Sequence, residues 1–474
     1  MSNSPAVWGH VEALARRFVE LSDRVWGTPE LNYQEHRSSQ EHARMLREQG
    51  FRVETGLAGM PTAVMGESGE GGSVIAFLGE FDALPELSQE AGAAEHRPLA
   101  GNGPGHGCGH NLLGSGAMLA ATAVKEWLAA GNLPGRVRYY GCPAEEGGAG
   151  KAFMVRDGIF DDVDAAISWH PFAFAGVMEP AALAYAILDF SFTGRSAHAA
   201  GSPHLGRSAL DAVELMSVGS NYLREHIPSD CRLHYAYLDA GGPAPNIVQA
   251  QATVRYIVRS PRAGEVVALV DRVKGIADGA ALMSETTVKS RLVCAMNSLL
   301  GNRVLERALA RNFEMLGPPE FDAEDEAFAQ RIQASLTQDH VQSAYAMFGL
   351  EPGATALCDR IIGVGSNGKQ MLGSTDVGDV SWKVPTVQAY GATMAIGTPL
   401  HTWQVTAQGK SPHAHKGMVH VSKVMAATGA DLLSDAAVLI EAKKEHASRL
   451  ARDPVVNILP ADLSPPLLGW SMSA

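Results

Sequence analysis

The stretch Gly105-His106-Gly107-Cys108-Gly109-His110-Asn111-Leu112-Leu113-Gly114 decides how the rest of this chain is read. Cys108 and His110 stand two positions apart, which in extended backbone puts both side chains on one side. Gly105, Gly107 and Gly109 let the backbone approach a ligand closely. A thiolate beside an imidazole is what a zinc-like ion binds. Alone, the stretch reads equally well as a glycine-rich turn around a buried, inert thiol. Two further features shift the balance. Glu145 and Glu146 lie together between Pro143-Ala144 and Gly147-Gly148, and His170 closes the apolar run 166–169. Adjacent residues cannot point the same way. Glu146 is therefore read as a ligand and Glu145 as a general base facing the substrate side. His413, His415 and His420 offer one last ligand ahead of the final helical stretch.

Working outward, the polar residues fall at strand ends. Residues 73–78 read as a strand running into Glu80 and Asp82, 135–142 as a strand running into Glu145, and 164–169 as one ending on His170. Between them, helical periodicity marks 5–27, 36–49, 112–130 and 150–158. Strands alternating with helices indicate an α/β fold, where ligands bind at the carboxyl ends of the strands. After residue 187 the texture changes. Strands at 185–193, 248–258 and 286–294 with helices at 206–226 and 262–280 fit a ferredoxin-like β-α-β-β-α-β module inserted into the larger domain. The expected organisation is a catalytic domain in two parts, 1–187 and 299–474, around a lid of 188–298. Helices are expected at 302–316, 324–339 and 417–447. The Gly-rich loops 88–107 and 363–379 are candidates for close approach to a ligand.

Bulk properties narrow the function. With 474 residues, two domains and a large core are expected. A net charge of −13 disfavours nucleic acid and anionic membranes as partners. Five widely spaced cysteines suit a reducing compartment rather than a disulfide framework. The N-terminus reads as a capped helix and not as a signal peptide, and no run is long and apolar enough to span a membrane. The cytoplasm is the expected location.

The motifs PELNYQE (29–35), GEFDALP (79–85), GHGCGHN (105–111), PAEEGGAGK (143–151), AISWHP (166–171), GRSAHAA (194–200) and GPAPNIV (242–248) together resemble the two-metal aminoacylase/carboxypeptidase group of metallopeptidases, in its amidohydrolase branch. The resemblance implies a mixed-sheet, zinc-peptidase-like catalytic domain and an inserted lid that mediates dimerisation. It implies two divalent ions, zinc or manganese, held by Cys108, His110, Glu146, His170 and His415, with Glu145 as catalytic base. His198 matches a lid histidine that polarises the scissile carbonyl from the partner subunit, and Asn246 a lid asparagine near the substrate carboxylate. The implied substrate is an N-acyl amino acid, with an aroyl group such as p-aminobenzoyl favoured. The implied assembly is a homodimer, with a paralogous subunit as a further partner. A cation is needed for the leaving amino acid's carboxylate. Arg255 is favoured over Arg259, Arg195 and Arg207. The chain departs from the branch at Glu80, where Asp is usual, and at Asn111, which follows the Cys-Gly-His run in place of Asp. The alternatives are a non-catalytic or partner-dependent subunit, and an amidase using Cys108 as nucleophile with His110 as base.

Overall fold

The computed structural model describes residues 4–99, 101–365 and 373–467. Six strands come first: β1 (Arg52–Thr55), β2 (Val64–Glu70), β3 (Val74–Glu80), β4 (Gly135–Cys142), β5 (Ala165–Phe172) and β6 (Ala175–Met178). Four more, β7 (Ala184–Thr193), β8 (Arg232–Asp239), β9 (Gln251–Ser260) and β10 (Thr287–Met296), form a sheet of their own. The chain then returns with β11 (Ile361–Ile362) and β12 (Thr386–Ala392) to complete an eight-stranded sheet of order β1-β2-β4-β3-β5-β12-β6-β11.

The centre of the large sheet is parallel: β3 pairs with β4 and β5, and β5 with β12. Every residue of β3 and β12 is buried, as expected for strands covered on both faces. The helix His110–Gly131 supplies one cover. Its small apolar residues let it pack closely against the helices Ser4–Trp26 and Pro412–Ser434. Trp169 anchors β5 beneath it by donating its indole N–H to the Leu113 carbonyl. The parallel run leaves the carboxyl ends of β3, β4, β5 and β12 at one rim.

The small sheet is antiparallel in the order β10-β7-β9-β8, with the helices Ala209–Leu223 and Ala263–Ser284 between its strands. The sequence of elements is strand, helix, strand, strand, helix, strand. Its fourth strand, β8, has mostly exposed or half-exposed residues. An edge strand with little to bury carries a weak alternation signal. The stretch 324–339 read as one helix is two, Ala323–Gln333 and Gln338–Ala346, the second opened by a capping box on Thr337. The final stretch is likewise split by Asp435 into Pro412–Ser434 and Ala436–Arg452. Part of the Gly-rich loop 363–379, residues 366–372, lies outside the described residues. No described helix is long and apolar enough to cross a membrane.

Three histidines away from the rim are enclosed as neutral rings. Burial pushes His42 down to about 3, and His413 and His420 down to about 4. In the unfolded chain they titrate near about 6.5. Below that value the unfolded chain takes up protons that the folded chain refuses. The stability they contribute is therefore present above pH ~6.5 and lost as the pH falls toward ~4, by up to about 2 kcal/mol each between pH 6.5 and 5. The thermal midpoint is expected to drop clearly from pH 7.5 to pH 5, less so in a His42→Gln/His413→Gln variant. Equal slopes in the two proteins would contradict the assignment.

Candidate active site

At the rim, Cys108 and His110 straddle Gly109, which precedes the first residue of the helix His110–Gly131. Gly109 has φ of 79°, and a Cβ there would lie 2.9 Å from the Cβ of Pro171. Only glycine allows this turn to press onto the residue after His170. As a result the Cys108 Sγ sits 3.5 Å from His170 Nε2. His170 Nδ1 donates to the Pro171 carbonyl at 2.9 Å, leaving the Nε2 lone pair to face the thiol.

The loop after β4 is equally fixed. The Ala144 N–H donates to a Glu35 carboxylate oxygen (2.9 Å), the Glu146 N–H to Asp82 Oδ2 (2.9 Å), and the Tyr33 hydroxyl to the Gly148 carbonyl (2.5 Å). A Cβ at Gly150 would stand 2.1 Å from the Pro143 carbonyl oxygen, so the loop closes tightly on itself. Glu145 and Glu146 then diverge. Glu146 Oε1 lies 4.0 Å from His110 Nε2, and Oε2 lies 3.2 Å from Nε2 of His401. Glu145 is grouped with Glu80 and His110.

Asp82 orients His110, its Oδ1 lying 2.8 Å from Nδ1, so that Nε2 is turned into the site. Glu80 Oε2 is 3.4 Å from that Nε2, and its Oε1 meets the Lys151 ammonium at 2.6 Å. Asn111 plays no part in supporting His110. Its amide donates to Ser22 and to the Gly409 carbonyl, bracing two helices.

Two sets of donor atoms, each within 4.8 Å of one another, share the thiol: Cys108, His110 and His170, and Cys108, Glu146 and His401. The donor set fits divalent ions. His110 Nε2, Glu80 Oε2 and Glu146 Oε1 are buried with no hydrogen-bond partner, and a bound cation satisfies such atoms. Protonation without metal is consistent with this. Burial and then the Glu146 charge push the Cys108 thiol well above its ordinary range. Burial, and then the charges of Glu80 and Glu146, push Glu145 well up. A thiol held protonated in this way is a poor nucleophile. A cation reverses the sign of the field around it.

Four expected residues are not brought here. His415 lies on the helix Pro412–Ser434 and faces Asp23, with Nε2 3.0 Å from Oδ1. The imidazole that joins Cys108 and Glu146 instead is His401, in the loop after β12, with φ of 60° and its N–H on the Gly107 carbonyl (2.8 Å). Arg255 forms a bidentate pair with Asp189 directly across the β7–β9 ladder, and Arg291 joins from β10. The arginine at the cavity is Arg259, four residues nearer the root of the same strand.

A cavity of about 390 Å³ opens over the cluster. Its floor includes Cys108, Glu145, Glu146, His170 and His401, and its lining on the small-sheet side includes Tyr185 and Arg259. The guanidinium lies over the Tyr185 ring and donates to Ser374 Oγ at 3.0 Å. Its Nε is buried and unpartnered, and among the described residues no carboxylate pairs with it. His198 and Asn246 do not line this cavity. Both are exposed on the small sheet's flank, where the Ala199 N–H donates to the Asn246 carbonyl.

A mixed α/β sheet with clustered thiol, imidazole and carboxylate donors at the carboxyl ends of its parallel strands, and a further carboxylate beside them, defines a metal-dependent hydrolase. The profile of Peptidase family M20/M25/M40 matches residues 76–403. The chain is 45% identical to one of the two subunits of p-aminobenzoyl-glutamate hydrolase from Escherichia coli K12, over 96% of this chain and 97% of that one. To the other subunit of that hydrolase it is 29% identical, over 60% of this chain and 67% of that one. Its fold is shared with a dinuclear metal-binding M20 peptidase from Bacillus subtilis (TM-score 0.56, 16% identity, 89% of this chain and 99% of that chain covered). The chain belongs to peptidase family M20/M25/M40 and is a metallo-amidohydrolase.

His401→Ala is expected to lower the number of divalent ions retained per chain after dialysis, and His415→Ala to leave it at the wild-type value. Metal analysis of the two purified variants checks this, and the opposite pattern would restore His415 as the ligand.

Proposed function

We propose that this chain hydrolyses the amide bond of N-acyl amino acids, with aroyl-glutamates of the p-aminobenzoyl-glutamate kind as preferred substrates. The observation that carries this reading is the meeting of two thiol-sharing donor sets, a spare buried carboxylate and an unpaired guanidinium around one cavity. The similarity to a hydrolase named for p-aminobenzoyl-glutamate supports the substrate class. Cys108, His110 and His170 would hold one ion, and Cys108, Glu146 and His401 the other. A thiolate favours zinc and the carboxylate-rich surroundings favour manganese. When bound, the ions supply Lewis acidity toward the amide carbonyl and the attacking water.

The chain's own groups do the rest. Glu145 takes the proton from water as its oxygen attacks the carbonyl carbon, and delivers it to the nitrogen as the C–N bond breaks. The products are a carboxylate and a free amino acid. Arg259 holds the amino acid's carboxylate, a fork-shaped donor for a planar acceptor. His198 Nδ1 accepts from the N–H groups of Ala200 (3.2 Å) and Gly201 (3.0 Å), which places its proton on Nε2. That outward donor suits the developing oxyanion.

Since His198 and Asn246 stand away from their own cavity, they serve that of a second copy. The lid, 188–298, is then the dimerisation module between catalytic segments 1–187 and 299–474. The alternative partner is a paralogous chain, the counterpart of the less similar of the two E. coli hydrolase subunits. The five cysteines are buried and unpaired, which suits the reducing cytoplasm.

Glu145→Gln is expected to lower kcat by about 10²–10⁴-fold with metal content unchanged. Near-normal turnover of p-aminobenzoyl-glutamate in that variant would remove Glu145 from the mechanism. Arg259→Met should cut kcat/KM by roughly tenfold or more, through lost binding of the carboxylate. Mixing Glu145→Gln and His198→Ala chains should restore part of the activity, because some hybrid dimers carry one intact site. Restoration only on adding the paralogous chain would favour the heteromeric assembly.

A further inference from the structure

The groups assigned to the proposed reaction leave the acyl half of the substrate uncontacted, and the cavity has a second wall to receive it. Part of the cavity lining is apolar and aromatic. Tyr390 on β12 stands directly beside His170 on β5 in the parallel register, so its side chain rises next to the metal-site floor. Its ring lies 4.9 Å from that of Phe172 at 34° and 5.7 Å from that of Phe348 at 80°. Phe348 is held in turn by Phe172 and Phe174, at 5.9 Å and 5.3 Å, both edge-on. Edge-to-face packing of this kind fixes ring orientation. Met178 and Met347 complete the wall. Thioethers adapt to flat aromatic faces.

Met347 and Phe348 are carried by the end of the helix Gln338–Ala346, in the segment between the helix Arg303–Leu316 and β12. Tyr345 of that helix packs on Phe174 at 5.4 Å, which ties the wall to the sheet. Tyr390 and Met178 stand on strands of the large sheet, and Met347 and Phe348 are held onto it through these ring contacts.

One polar feature interrupts it. Tyr390 lines the cavity while only 5% exposed, and its hydroxyl is the polar atom of its side chain. Glu179 also lines this side of the cavity, with one carboxylate oxygen accepting from the Gly365 N–H.

We propose that the Tyr390–Phe348–Met347–Met178 wall is an aryl-acyl subsite, and that the Tyr390 hydroxyl selects an aromatic ring carrying a hydrogen-bond donor, an arylamine. The proposal rests on the amide-hydrolase reading above and adds the specificity residues to it. A site built to hydrogen-bond a substituent discriminates against the analogue that lacks it, since the buried polar group is then left unpaired.

The test uses the metal-loaded full chain with p-aminobenzoyl-, benzoyl- and acetyl-glutamate. Wild type is expected to prefer them in that order by kcat/KM. Tyr390→Phe should shrink the p-aminobenzoyl-to-benzoyl preference by about tenfold, the scale of one hydrogen bond. Phe348→Ala should shrink the aroyl-to-acetyl preference. Calorimetry on the wild type with p-aminobenzoate and benzoate reads the same selectivity without any variant, and p-aminobenzoate should bind several-fold tighter. Equal binding of the two acids, or a Tyr390→Phe variant with an unchanged preference, would overturn the subsite while leaving the amide-hydrolase reading intact. A wild-type chain that cleaves acetyl-glutamate but neither aroyl substrate would overturn the aroyl reading and the subsite together.

Discussion

The architecture of the site depends on one fully buried lysine. The Lys151 ammonium lies 2.6 Å from Glu80 and 2.5 Å from Asp376, and the Lys151 N–H donates to the other Asp376 oxygen at 2.8 Å. Glu80 closes β3, Lys151 follows the Glu145–Ala149 loop, and Asp376 precedes the helix Val377–Lys383. Three distant pieces of chain are thus fastened by charge at the point where the site is assembled. Burial alone would push the ammonium toward neutrality, yet Asp376 and then Glu80 hold it well above its ordinary value. Removing the ammonium would leave two uncompensated buried carboxylates, a loss of about 3–5 kcal/mol, which is why such a knot specifies one arrangement rather than several.

The same knot sets the charge balance at the floor of the cavity. Glu80, Asp82, Glu145, Glu146 and Asp376 crowd into a region where Lys151 is the buried ammonium. The carboxylates divide accordingly. Glu80, against its burial, is lowered by Lys151 and His110, whereas Glu145 is raised by burial and by its neighbours. Two carboxylic groups in one pocket, pushed in opposite directions, are suited to different tasks: one stays a fixed anion, the other exchanges a proton. The surplus of negative charge is also what makes the pocket a place for divalent cations.

Much of this was legible in the sequence, because strand ends announce themselves. Glu80, Glu145 and His170 each follow a run that reads as a strand, and a parallel sheet brings such ends together. The residues that lie elsewhere than expected have separate causes. Choosing among histidines near the C-terminus required knowing which one the backbone turns inward. His401 sits in the loop after β12, the same kind of place as His170, while His415 lies on a helix whose exposed side meets Asp23. Arg255 and Arg259 are four apart in one strand and share a face. What separates them is roughly 13 Å along the strand. At the far position Asp189 lies opposite in register, and at the near one Tyr185 does. Pairing partners across a sheet are not written in either strand alone. The edge strand β8 was missed because exposure erases the pattern that burial writes.

The two sheets divide the labour in a way that follows from their mechanics. The donor atoms of the candidate metal site all come from the large sheet's strand ends and the loops locked to them, where the register is fixed by neighbours on both sides. The groups suited to reading the substrate come from both sheets and a helix: Arg259 from the root of the small sheet, Tyr390 and Met178 from the large one, and Met347 and Phe348 from the helix ahead of β11. A ligand in the cavity must touch both, so its binding energy is available to hold the two sheets in one relative position. The candidate base Glu145 needs no such closure, because Glu35, Tyr33 and Asp82 already fix its loop. The geometry of the donor cluster is therefore built into the fold, and the groups suited to reading the substrate are added around it.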